Sequence, residues 1–136
     1  MVSPVEAVAL RIESRWPTAT VYRNGPPQTV PSTYLIVSSN AGVVGSDRLS
    51  DQATLRDVTV WIKAVARYER SEKGRASAAY NAQLWAERAQ SAMIDWRPTG
   101  GWKPVPLASQ PVTADDDFPT EFVYYAVDTY GLSQSI

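Results

Sequence analysis

Cysteine and histidine are both missing from the 136 residues. Their absence excludes disulfides, thiolate nucleophiles and zinc sites built on Cys or His. It also excludes a Ser-His-Asp arrangement, and it leaves no imidazole to change charge near neutral pH. An excess of one charge is missing too. Thirteen Lys and Arg stand against 14 Asp and Glu, for a net charge of -1 and a pI of about 5.4. No overall basic field therefore draws the chain onto nucleic acid. The apolar runs are far too short to span a bilayer. The N-terminus lacks a basic segment followed by an apolar core, so no signal peptide is expected and the chain is expected to stay in the cytoplasm where it is made. Carboxylates and lysines still permit catalysis, but the commonest catalytic groups are gone.

What is present is ordinary globular material. Apolar residues make up 44% and charged residues 20%, which argues for one domain over residues 1–136 with one core. The chain is organised around Arg56 to Arg67 (R-D-V-T-V-W-I-K-A-V-A-R). Val58, Val60, Ile62, Ala64 and Ala66 fall on one side of a period-2 pattern. Asp57, Thr59, Trp61, Lys63, Val65 and Arg67 fall on the other. One wholly apolar face and one mostly polar face predict a long half-buried strand.

Two helices are expected. Ser3-Pro4-Val5-Glu6 reads as a helix start, with Ser3 as cap, Pro4 in the first turn and Glu6 completing a capping box. Val5, Val8, Ala9, Ile12 and Trp16 form its apolar stripe, and Pro17 ends it. The second helix is expected from about Arg75 to Asp95, after a charged connection over Glu69 to Gly74. Its stripe is Ala78, Ala82, Trp85, Ala89, Ala92 and Trp96, widened by Tyr80, Leu84 and Met93.

Further strands are expected at Thr20–Arg23, Thr33–Ser39 and Phe122–Thr129, with short ones at Trp102–Leu107 and Gln110–Thr113. Leu132 to Ile136 reads as a loose tail. Asn40 to Ala53 reads as a long loop or arm, and its Gly42 and Gly45 do not have Walker spacing. The order helix, strands, long strand, helix, strands defines an α+β fold, a mainly antiparallel sheet with two helices packed on one face.

Two helices leave the second face uncovered. It is expected to carry Trp61, Val65 and either Tyr124 or Tyr125, a patch that a lone soluble domain rarely leaves bare. Burying one such side chain contributes roughly 1.5–3 kcal/mol, against an association cost of about 4–15 kcal/mol. A stable assembly then needs more contacts, and Val43, Val44 and Leu49 of the arm are candidates. The alternative is that the chain's own loops cover the face, notably Trp102 to Pro111. Of the remaining constellations, Asp115–Asp117 lacks EF-hand alternation and reads as a solvated turn. The cluster Arg67, Arg70, Lys73 and Arg75 is interleaved with Glu69 and Glu72, which weakens a nucleic-acid reading. No cofactor or metal site is expected.

Four stretches carry a family resemblance: the opening helix ending in R-W-P, then P-S-T-Y-L-I-V at Pro31 to Val37, V-T-V-W-I-K-A-V-A at Val58 to Ala66 leading into an alanine-rich helix, and D-D-F-P-T-E-F-V-Y-Y-A-V-D-T-Y at Asp116 to Tyr130. In their order the chain resembles tail terminator proteins of long-tailed bacteriophages, which sit among the head-to-tail connector and neck proteins. The resemblance implies a structural virion protein, not an enzyme, forming a homo-oligomeric ring, commonly a hexamer. Such a ring sits at the head-proximal end of the tail after assembly in the host cytoplasm. It caps the tube of major tail protein, ends its polymerisation and offers a surface to a neck or head-closure protein. DNA passes through its lumen without sequence-specific binding, and acidic residues are expected to line that lumen, with Asp47, Asp51, Asp115, Asp116 and Asp117 as candidates. Another neck or minor tail protein is the nearest alternative. A small ligand-binding or carboxylate-based enzyme domain is the reading from a different class.

Overall fold

The computed structural model describes residues 3–40, 43–45, 55–98 and 103–135, and of residues 43–45, 55–56 and 134–135 the backbone alone. The elements are α1 (Pro4–Arg15), β1 (Val21–Arg23), β2 (Thr33–Ser39), β3 (Val43–Gly45), β4 (Leu55–Glu69), α2 (Glu72–Met93), β5 (Val105–Asp115) and β6 (Glu121–Ser135). They build an α+β fold in which a mostly antiparallel sheet of order β1-β2-β4-β6-β5 carries both helices, with β3 paired to β4 off that path. The one parallel pair is β1 with β2.

The period-2 reading of the long strand holds. Val58, Val60, Ile62, Ala64 and Ala66 are all buried beneath the helices. On β6 the same face carries Phe122, Tyr124, Ala126, Asp128, Tyr130 and Leu132, each in register with a covered residue of β4 from Tyr68 back to Val58. Alanines make the close approach possible. Ala78, Ala82, Ala86, Ala89 and Ala92 are the buried stripe of α2, and small side chains let a helix lie close on a sheet. Tyr80, expected on that stripe, is instead 66% exposed.

Both helix starts depend on a serine. Ser3 Oγ accepts from Glu6 N at 3.2 Å, and Ser71 Oγ accepts from Gly74 N at 2.9 Å. The second cap explains why α2 begins at Glu72, inside the stretch expected to be a connection. At Gly74 any Cβ would collide with the Glu69 carbonyl, so glycine is required by the close return of the chain. The Glu6 carboxylate does not close a capping box. It binds Arg23 at 2.9 Å, and Glu13 binds the same guanidinium at 2.7 Å, tying α1 to β1. Those hydrogen bonds hold the Glu6 carboxyl below its ordinary value. The helices clasp through Trp16, whose Nε1 donates to Arg88 O at 2.9 Å, while the Arg88 guanidinium lies over the Trp16 and Trp85 rings.

Three expectations are corrected. The two short strands expected between Trp102 and Thr113 are one edge strand, β5. Its Pro106 and Pro111 are accommodated by register shifts at Pro106/Ala108 and between Gln110 and Thr113. The supposed tail is strand as far as Ser135, because Leu132 is 1% exposed and pairs with Val58. Part of the supposed arm is also strand. Val43–Gly45 continues along β4 where β2 leaves off, and Asn40 bridges the step by bonding both backbone groups of Thr59. The rest of that arm, with Asp47, Leu49 and Asp51, lies outside the described residues.

Candidate assembly surfaces and an acidic cleft

The sheet face away from the helices has two differently covered halves. At one end Tyr34, Val65 and Val123 are buried together, with Val30 and Phe118 packed over them. Val30 belongs to the connection between β1 and β2, which turns at Asn24 and Gly25, both at positive φ, and returns across this face. Phe118 comes from the turn before β6. Long side chains finish the cover. The Arg67 guanidinium lies over the Phe118 ring at 4.8 Å and pairs with Glu121 at 2.9 Å, a bond that raises the Arg67 pKa. Lys63 Nζ lies 4.7 Å over Tyr125.

Two expected interface residues are therefore corrected. Val65 is 4% exposed, because the chain's own loops cover it, although not the stretch expected to do so. Tyr124 points to the helices, where it packs with Ala66, Ala78 and Ala82; its neighbour Tyr125 takes the other face, since adjacent strand residues alternate. Trp61 remains on the uncovered face, half-buried, opposite Ser38 and Thr129. Val43 and Val44 pair with Asp57 and Arg56 through their backbones.

Asp115 closes β5, and Asp116 and Asp117 form the turn that follows, with Asp117 N donating to Asp115 Oδ1 at 3.2 Å. Among the described residues no group of three or more carboxylates is arranged to hold a metal ion. In the basic cluster Arg70 and Arg75 are exposed, and both lie over the Phe122 ring.

Apolar surface gathers somewhere else, at the edge strand. Of the exposed large hydrophobics among the described residues, Ile94 (64%) and Leu107 (57%) border the seam between the end of α2 and β5, while Val105 (58%) lines a second hollow beside Gly131 and Leu107. Leu107 sits over Gly131 and reaches both sides of this edge. The seam opens into a cleft of about 500 Å³, floored by Asp128 and Tyr130 and walled by Met93, Pro106 and Leu107.

Sequence reasoning missed Asp128. It is the buried charged side chain of the described core, 4% exposed, and its Oδ1 accepts from Gln90 Nε2 at 3.0 Å. Burial, and then the Asp128 charge, push the Tyr130 phenol up to about 12. The signal was available, since Asp128 interrupts an otherwise apolar period-2 set on β6.

Comparison of the chain with known protein families finds no match, and comparison with curated proteins finds no similar one. Among the described residues no helix is long and apolar enough to cross a membrane.

Proposed function

We propose that this chain is a structural, non-enzymatic subunit that assembles with copies of itself into a ring capping a phage tail tube. In this reading the ring ends tube polymerisation and presents a surface for the neck or head-closure protein. The observation that carries it is the pair of exposed apolar side chains Val105 and Leu107, side by side on the free edge strand β5. Contiguous exposed apolar surface marks an interaction site, and prolines at positions 106 and 111 oppose simple strand addition there. Side-chain contact with a neighbouring subunit would cover it. The order of elements along the chain, which underlies the resemblance to tail terminators, supports the same reading.

The lumen assignment is a smaller part of the proposal. Asp116 and Asp117 are exposed in the turn between β5 and β6, and a polyanion slides past carboxylates without sticking. A ring structure with this turn on the outer wall would refute that part.

The test is to image virions or tails made without the protein. Tubes of uncontrolled length are expected. Tubes of normal length that fail to join heads would move the chain to the head-closure class, and normal virions would remove it from the tail altogether.

A further inference from the structure

Asp128 combines two properties that rarely occur together. It is nine-tenths buried, and it lines a mainly apolar cleft. A carboxylate removed from water is costly unless a cation or several donors replace its hydration. Its described hydrogen bond comes from a neutral amide, Gln90 Nε2 at 3.0 Å. No lysine or arginine among the described residues forms an ion pair with it. The nearby cation of the cleft, Lys103, is engaged at the rim with Asp95 at 3.2 Å, where both groups are well exposed. Met93, Pro106 and Ala108 line the cleft together with the polar Gln90 and Ser109, and the exposed Leu107 and Ile94 border it.

We propose that this cleft is a binding site for an organic cation, a guanidinium or primary ammonium carried on an apolar stem. The head group reaches Asp128 at the floor, and the stem lies against Met93, Pro106 and Leu107. A guanidinium suits the floor better than a hydrated metal ion, because one carboxylate supplies a single anionic ligand while the walls favour an apolar body. The cation has two possible sources with this same chemistry, a free alkylamine or alkylguanidine and an arginine or lysine side chain of another protein. The inference stands on Asp128 and the cleft and holds whether or not the chain forms a ring.

The experiment titrates the full chain with butylguanidinium, butylammonium and the uncharged butylurea, following the Gln90 side-chain amide by NMR. Both cations are expected to shift the Gln90 signals, and butylurea to bind about tenfold more weakly or worse, as expected for losing a charged hydrogen bond. Asp128→Asn is near-isosteric and is expected to remove the preference for cations while leaving butylurea unchanged. Leu107→Ala shortens an exposed side chain of the cleft without adding charge and is expected to weaken the stem contact, so the test does not depend on one variant folding. The blocked peptide acetyl-Leu-Arg-Leu-amide separates the sources. Tighter binding than butylguanidinium assigns the cation to a protein partner, and equal or weaker binding assigns it to a free ligand. Butylurea binding as well as butylguanidinium, or no cation perturbing Gln90, overturns the proposal.

Discussion

The two faces of the sheet are covered by different means. Beneath the helices the cover is continuous. Ile12, Leu35, Val37, Val60, Ile62 and Leu132 are each 2% exposed or less and form one cluster with Ala86, Ala89 and Ala92 of α2. On the opposite face the apolar group is small, Tyr34 with Val65 and Val123, roofed by Val30 and Phe118 from loops. Beyond it the face is closed by amphipathic stems, Lys63 over Tyr125 and Arg67 over Phe118. A helix layer hides a face by its own regular stripe, whereas loops and long polar side chains hide one piecemeal. The second face is more nearly self-sufficient than its alternation suggests, and the surplus apolar surface appears at the β5 edge instead.

Unfolding measurements can break or sharpen this contrast. Ile62→Ala, on the helix side, is expected to cost about 2–5 kcal/mol, the range for emptying a tightly packed aliphatic site. Val65→Ala, on the loop-roofed side, removes two methyl groups' worth of burial and is expected to cost about 2 kcal/mol. A cost near zero for Val65→Ala would mean that Val30 and Phe118 do not shield it in solution. Lys63→Ala is expected to cost roughly 0.5–1 kcal/mol, the value of an exposed cation–ring contact. A double-mutant cycle with Tyr125→Leu should recover that coupling.

Acid gives the smallest expected effect. The Arg23 hydrogen bonds depress the Glu6 pKa in the folded chain. The folded state therefore binds this proton less readily than the unfolded one, so the contribution is present above the ordinary value of 4.5 and disappears as pH falls through the lower folded value. Glu6→Gln should flatten that part of the stability–pH curve. Equal acid sensitivity in the variant would show that the tie between α1 and β1 does not depend on this charge.

Much of the covered face was legible in the sequence, because alternation over Val58 to Ala66 and the alanine spacing of α2 follow from fixed backbone periods. Thr33–Ser39 was legible to the residue. The opposite face was less so. Whether Tyr124 or Tyr125 points inward depends on register with Ala66, and the cover on Val65 comes from Val30, 35 positions away in the chain. Long-range packing of that kind leaves no periodic trace. The β5 edge was misread because prolines at 106 and 111 look like strand ends, whereas register shifts let an edge strand continue through them. Asp128 was visible as a charge in an apolar row, but only pairing with Ile62 places it inside.

The β5 edge carries the weight of the assembly proposal, and one comparison tests it directly. Tubes polymerised from the tail tube protein would be mixed with the wild-type chain or with a Val105→Asp, Leu107→Asp double variant and imaged in negative stain. Both substituted residues are exposed, so the variant should keep the wild-type unfolding midpoint. The wild-type chain is expected at tube ends as a closed ring, and the variant is expected to leave the ends bare. A folded variant that caps tubes as the wild type does would contradict the account.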